Sequence, residues 1–319
     1  MDKVLEAIDE KRNIKPNSLR AYGISLRKVQ EAVEPDKEFT NLDFLKDENK
    51  VQESISGFKI STQKNYLASI IVGLDALNEN DKYKDDLESY RSYLEAIAEE
   101  HNKEQKSGEK SESQTKNWTT IKELQKVLTG YKNDINEREL WNKETLTTKQ
   151  YDLMQKWVIG NLYVGDPDNP PARADYAPMF VVSEKEFNDL HEDDKDLNNY
   201  LVVKSRNNKF FHFGEYKTAK KYGANKVILG KKLNSVMNIW LRFNKTDSLL
   251  TNSKREPQTA NGLSKYINKV FAPTGKKISI NILRHVFISE KFPNINDEKA
   301  QIAKKMGHSI SQQGDYSKK

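Results

Sequence analysis

The sequence predicts a mainly helical α+β protein, in which an all-helical N-terminal domain precedes a helix-rich domain with one small antiparallel sheet. Three observations predict it. Apolar residues recur at spacings of three and four through most of the 319 residues, the period of amphipathic helices. Short β-favouring runs cluster in one stretch, between Tyr200 and Leu229. A polar, Ser/Lys/Glu-rich segment without a large apolar residue, 100–117, separates the two halves.

The first domain covers 1–99. In Asn17–Val33 the residues Leu19, Tyr22, Leu26 and Val29 line one face behind a Pro-Asn-Ser start signal. A second helix starts near Ser61-Thr62 and carries Tyr66, Ile70, Leu74 and Leu77; a third, Asp85–Glu99, carries Leu87, Tyr90, Tyr93, Leu94 and Ile97. Segment 100–117 is expected to be a flexible linker. The second domain covers 118–319. Ile121, Leu124 and Leu128 mark its first helix, and Tyr151 to Leu162 mark another that ends near Gly165. Asp166–Pro171 is a turn, and Ala172–Met179 is expected to continue as helix. The strand runs follow: Tyr200–Val203, Phe210–Phe213 and Lys226–Leu229. Helical spacing returns at Leu233–Phe243, Leu263–Phe271, Ile280–Lys291 and Glu298–Met306. No internal repeat and no Walker-type phosphate loop is present.

Composition removes several classes of chemistry. With no cysteine there is no disulfide, no thiolate nucleophile and no Cys-ligated metal. The 5 histidines are scattered and form no His-x-x-x-His pair, so no metal and no cofactor is expected. No apolar run approaches the roughly 20 residues of a membrane span. The opening MDKVLEAIDEKRN has neither a secretory apolar region nor a transit-peptide composition. The expectation is an intracellular protein without a membrane partner.

Charge points to a polyanion. The chain is +6 overall, but residues 1–117 hold 19 Lys+Arg against 24 Asp+Glu, a balance of −5, and residues 118–319 hold 34 against 23, a balance of +11. A basic C-terminal two-thirds makes nucleic acid the first partner class, although Lys-rich surfaces also serve solubility alone. Within the acidic first domain, Lys11, Arg12, Lys15, Arg20, Arg27 and Lys28 could form a local basic face.

Five short motifs occur in the second domain. They are Pro170-Pro171-Ala172-Arg173-Ala174-Asp175-Tyr176, Glu215-Tyr216-Lys217-Thr218, Asn281-Ile282-Leu283-Arg284-His285, Gly307-His308-Ser309 and Asp315-Tyr316-Ser317. In this order, and beside this secondary structure, they resemble the tyrosine recombinase (phage-type integrase) family over essentially the whole chain. The block from Glu215 to Leu229 is similar to versions from eukaryotic viruses and mobile elements, which would imply viral or mobile-element integration.

The residue types suit phosphodiester chemistry on their own terms. Arg173 and Arg284 would neutralise the non-bridging oxygens, since a guanidinium stays protonated and donates in a planar fork. Arg284 sits among Ile280, Leu283, Val286 and Phe287, where an arginine is costly unless it has a partner. Tyr316 is the only tyrosine after Arg284 and lies in a polar setting, as a nucleophile would; its phenol needs nearby positive charge to react. His308 precedes it by eight residues, close enough for both to meet one phosphate.

The resemblance adds the remaining roles. Lys217 would be the general acid that protonates the leaving 5′ oxygen, with Lys220 and Lys221 as competitors. Asn281 stands where the family usually has His or Lys, and an amide carries neither proton nor charge. Asp175 would orient Arg173 or a histidine, and His285 would have a structural role bracing its helix. Three residues follow Tyr316, where many relatives extend into a helix that docks on the neighbouring protomer. The implied activity is site-specific cleavage and rejoining of double-stranded DNA through a 3′-phosphotyrosine, without metal or ATP. The helical domain would be the core-binding part that clamps the duplex, within a homotetramer on paired sites. The alternatives are a catalytically weakened DNA-binding relative and a type IB topoisomerase.

Overall fold

The computed structural model describes residues 2–106, 109–167 and 169–292. The chain divides into two compact units, Met1–Lys110 and Ser111–Lys319. The first is all helical: α1 (Asp2–Arg12), α2 (Pro16–Val33), α3 (Glu48–Ser56), α4 (Ile60–Ala76) and α5 (Lys84–Lys106). Pro16 opens α2, where the missing N–H is one that a helix start leaves unpaired in any case. The spacing of Leu26 and Val29 on α2, Ile70 and Leu74 on α4, and Leu87 and Tyr90 on α5 builds one core. The buried Tyr90 hydroxyl donates to the Leu45 carbonyl at 2.7 Å, so its polar tip is satisfied inside that core.

Among its described residues, segment 100–117 is largely helical. α5 runs on to Lys106, and α6 (Glu112–Asn117) begins at a capping box in which Ser111 and Gln114 bond each other's backbone. Polar composition alone does not prevent helix when the start signal is in place.

In the second unit α7 (Ile121–Glu137) and α8 (Thr148–Gly160) are followed by a π-helical turn, Asn161–Gly165. Then come β1 (Met179–Ser183), α9 (Glu184–Asp189), α10 (Glu192–Leu197), β2 (Asn199–Ser205), β3 (Asn208–Phe213), α11 (Ala219–Tyr222), β4 (Asn225–Ile228), α12 (Lys231–Phe243), α13 (Ala260–Val270) and α14 (Ile280–Lys291). The expected helix Glu298–Met306 lies outside the described residues.

The sheet corrects two expectations. Its order is β1-β2-β3-β4, and it is mixed rather than antiparallel, because β1 pairs parallel to β2 with Met179 opposite Asn199. The chain between them returns through α9 and α10, a crossover of the length that parallel neighbours require. Ala172–Met179 is not helix beyond a single 3₁₀ turn at Ala174–Tyr176, after which β1 begins. The other two pairings are antiparallel, with Leu201 opposite Phe211 and Phe211 opposite Val227. Side chains alternate in strands, so Leu201, Phe211 and Phe213 face the main core. Tyr200, Val202 and Phe210 face a smaller cluster with Phe187 and Leu190. Among the described residues no helix is long and apolar enough to cross a membrane.

Candidate active site

The fold brings Arg173, Asp175 and Arg284 into one neighbourhood. The π turn at the end of α8 buries Tyr163, whose hydroxyl donates to the Arg173 carbonyl at 2.7 Å. The intervening turn is closed by the Asn169 N–H bonding the Asp166 carbonyl at 3.1 Å. The Asn169 side chain donates to the Leu162 carbonyl (2.8 Å) and to the Tyr176 hydroxyl (3.1 Å). Tyr176 stacks edge-on against Tyr163, Phe211 and Phe213. Arg173 therefore leaves a backbone pinned on both sides by buried aromatics, while its own side chain is half-buried.

Arg284 arrives from α14. Ser279 caps that helix through the Ile282 N–H, and the buried residues Ile282, Leu283, Val286 and Phe287 fix its rotation. This leaves Arg284 half-buried on the flank, where Nη1 donates to the Pro171 carbonyl at 3.4 Å. Burial and the charge of Arg173 both hold the Arg284 pKa below its ordinary value, against Asp175 and Tyr163; an arginine remains a cation all the same. Burial raises the Asp175 pKa above the usual carboxylate range, opposed by a backbone hydrogen bond from Arg173 and by the charges of Arg173 and Arg284. Among the described residues neither arginine makes a salt bridge. Two neighbouring guanidiniums without a salt-bridged carboxylate among the described residues have the donor geometry that suits an oxyanion.

Lys217 lies in the turn after β3 and is exposed. The fold ties this turn to the arginine loop through a residue that sequence reasoning missed. Asn199, 1% exposed, donates to the Asp175 carbonyl and accepts from the Glu215 N–H, both at 3.1 Å. A single amide thus joins the segment of Arg173 to the start of the Lys217 turn. Just ahead, Gly214 passes so close to α10 that a Cβ there would stand 1.8 Å from the Lys195 carbonyl oxygen. The far end of the turn is closed by the Tyr216 hydroxyl on the Gly223 carbonyl at 2.8 Å. Lys220 and Lys221 are exposed on α11, beyond the tied residue. A buried Asn at the start of a β-favouring run is the one sequence signal that could have singled out Asn199.

Asn281 is exposed in the first turn of α14, three residues before Arg284 and so its neighbour on the helix surface. His285 is also exposed; the buried apolar residues, not this histidine, brace the helix. His212 on β3 donates its Nε2–H to the Lys195 carbonyl of α10 at 2.9 Å. His308 and Tyr316 lie outside the described residues. Among the described residues no three His, Asp or Glu side chains gather as a metal site.

No protein-family model matches the chain, and no curated protein matches it. Among solved structures it is similar to a crystal structure of XerA recombinase, with 10% identity, coverage of 100% of this chain and 94% of that one, and a TM-score of 0.34. At that identity and score the likeness says nothing about this chain's chemistry.

Proposed function

We propose that the protein is a DNA recombinase of the tyrosine class, which cleaves and rejoins DNA strands through a covalent phosphotyrosine. The observation that carries this reading is the convergence of Arg173 and Arg284, remote in sequence, on one half-buried site, where among the described residues neither charge enters a salt bridge. The motif order through Tyr316 supplies the rest.

The Tyr316 phenol gives up its proton to solvent, eased by the positive charge beside it, and its oxygen attacks the scissile phosphorus while the P–O5′ bond breaks. Lys217 gives its proton to the departing 5′ oxygen. Arg173, Arg284 and His308 take up the charge on the pentacoordinate phosphate, and Asn281 adds a neutral donor. The 3′-phosphotyrosine conserves the bond energy, so attack by a second 5′ hydroxyl rejoins the strands without ATP. Exchange between two duplexes in a tetramer is what the family resemblance adds, with integration of a viral or mobile element as its setting.

The test is incubation of the full chain with fragmented DNA of the source genome in excess EDTA, followed by sequencing of covalently trapped DNA. A protein–DNA adduct is expected, lost in Tyr316→Phe with duplex affinity nearly unchanged. Lys217→Ala should slow cleavage and be rescued when sulfur replaces the bridging 5′ oxygen, a leaving group that needs no proton. An adduct that survives Tyr316→Phe overturns the nucleophile, and cleavage abolished by EDTA overturns the whole reading. Duplex binding with no adduct would instead favour the catalytically weakened relative, for which the amide at Asn281 is the motive.

A further inference from the structure

The second unit holds another concavity, lined by several cationic side chains, that includes neither Arg173 nor Arg284. It is a cleft of about 630 Å³ between α8, the loop 251–258 and α13, a size suited to a small molecule or one group of a larger one.

Its floor is built and rigid. The Gln155 amide holds Thr251, donating to its carbonyl at 2.9 Å and accepting from its N–H at 3.0 Å. Tyr151 bonds Asn244 and Thr251 at 3.0 and 3.2 Å. The adjoining loop is locked by Asn252, whose side chain accepts from the Lys254 and Glu256 N–H groups. That lock sets Arg255 in the left-handed region at φ 67°, with its guanidinium 3.1 Å from the centre of the Tyr151 ring.

Its charge is one-sided. Lys149, Lys156, Arg255, Lys265 and Lys269 line it against a single carboxylate, Asp152. That carboxylate is already engaged by Lys156 at 2.8 Å and by the Tyr266 hydroxyl. The first turns of both α8 and α13 border the cleft through Lys149 and Gly262, and helix starts carry partial positive charge.

One buried donor lacks a partner. Gln258 is 7% exposed and lines the cleft. Its Oε1 accepts from the Thr259 N–H at 3.1 Å, while its Nε2 has no protein acceptor among the described residues. Buried polar groups are rarely left so unless something else binds them. The sequence makes room for it: Gly262 has an ordinary helical backbone, yet a Cβ there would stand 2.2 Å from Gln258 Oε1. A glycine inside a helix costs about 1 kcal/mol relative to alanine, and here it lets the Gln258 amide sit in the cleft wall.

We propose that this cleft is a phosphate-binding site, in which Gln258 Nε2 and Arg255 donate to a phosphate group and Lys149, Lys265 and Lys269 hold its charge. It stands independently of the recombinase reading. The ligand carries phosphate either as a free phosphorylated molecule or as the DNA backbone.

The test is titration of the full chain with sodium tripolyphosphate, read on the Gln258 side-chain amide resonance, which is identified by its loss in Gln258→Met. A saturable shift is expected, beyond that caused by sodium chloride at the same ionic strength. Arg255→Gly relieves the left-handed backbone while removing the guanidinium, so it should fold and raise the half-saturation point about tenfold, as loss of one charge-assisted contact does. Lys265→Gln, an exposed change, should weaken it less. Arg284→Lys should leave the titration unchanged. A parallel titration with duplex DNA separates the sources: a shift that tripolyphosphate reverses assigns the DNA backbone, and no shift with duplex assigns a free ligand. The proposal is overturned if tripolyphosphate moves the resonance no more than chloride. It is equally overturned if Arg255→Gly and Lys265→Gln titrate like the parent, or if Arg284→Lys abolishes the shift.

Discussion

Cations in two regions of this chain, the end of α1 and the arginine neighbourhood of the second unit, meet different fates. In the helical unit Lys11 and Arg12, at the end of α1, close on Asp75 of α4 at 3.4 and 3.0 Å, and Lys28 closes on Glu31 at 2.6 Å. These are partners that fasten helix to helix or spend charge on a neighbour. In the second unit Arg173 and Arg284 are half-buried in one neighbourhood, and among the described residues neither has a salt bridge and Arg284 donates to the Pro171 carbonyl. A count of basic residues does not tell these cases apart. What distinguishes a binding arginine from a structural one is whether the fold has already supplied its counter-charge. The basic face envisaged for the first domain therefore loses Lys11, Arg12 and Lys28 to internal pairs, whereas the arginine pair has no such pair among the described residues.

The sharpest way to break this contrast is to remove one cation from each region. Arg284→Ala or Arg173→Ala should lower the rate of covalent adduct formation by roughly 10²–10³-fold, the usual loss for one donor to a developing oxyanion. Arg12→Met should leave that rate within about twofold, since an exposed pair contributes only up to about 1 kcal/mol to stability. Equal losses, measured as initial adduct rates on one duplex, would remove the distinction.

Two glycines extend the comparison to the backbone. A Cβ at Gly214 would stand 1.8 Å from the Lys195 carbonyl oxygen and 2.6 Å from that of Asn198, and neither backbone atom can rotate away. Gly214→Ala should cost at least about 1–3 kcal/mol, as overpacking does, and should dislodge the Lys217 turn that follows it. Gly57, after α3 in the first unit, has an ordinary right-handed backbone and nothing within 4 Å of a Cβ. Gly57→Ala should therefore stabilise its unit by about 0.4–1 kcal/mol through the unfolded chain. Urea unfolding of both variants beside the parent reads the opposite signs.

The helices that carry the second-unit core were legible because their faces are wide and regular. The spacing read for Ile280–Lys291 matches α14, and that for Leu233–Phe243 falls within α12. α1 and α3 went unread because each buries only two residues, Val4 and Ile8 in one and Val51 and Ile55 in the other, too few to display a period. β1 went unread because so short an apolar run has no readable period and its parallel partner lies beyond a crossover. At the site, Arg173 and Arg284 were legible from residue type and motif. Asn199, Tyr163 and Gln258 were not, since an Asn, Tyr or Gln becomes positional only through the particular carbonyl or N–H that the fold sets against it.

The smallest expected effect is the most discriminating, because the same substitution should act with opposite sign in the two units. At Asp75 burial works against ionisation, but hydrogen bonds and charge from Arg12 and Lys11 outweigh it and hold the pKa below the ordinary value. A lowered carboxylate pKa stabilises the fold above the unfolded-state value, and that contribution is lost as pH falls through the folded one. Asp75→Asn should thus destabilise its unit at pH 7, by no more than about 1 kcal/mol because both cations are more than a third exposed. The difference should vanish in acid. At Asp175 burial comes first and prevails over the Arg173 backbone bond and the two guanidiniums, so the pKa is raised. A raised carboxylate pKa is a penalty that is absent below the unfolded-state value, where both states are protonated, and that grows as pH climbs through the folded one. Asp175→Asn should slightly stabilise its unit at pH 7, with the gain again vanishing in acid. Native-state hydrogen exchange at the buried amides of Leu74 and Leu201 reports each unit separately. Loss of protection at Leu201 in Asp175→Asn at pH 7 would show that this carboxylate is a structural anchor like Asp75, and the contrast between spent and unspent charge would fail at its own centre.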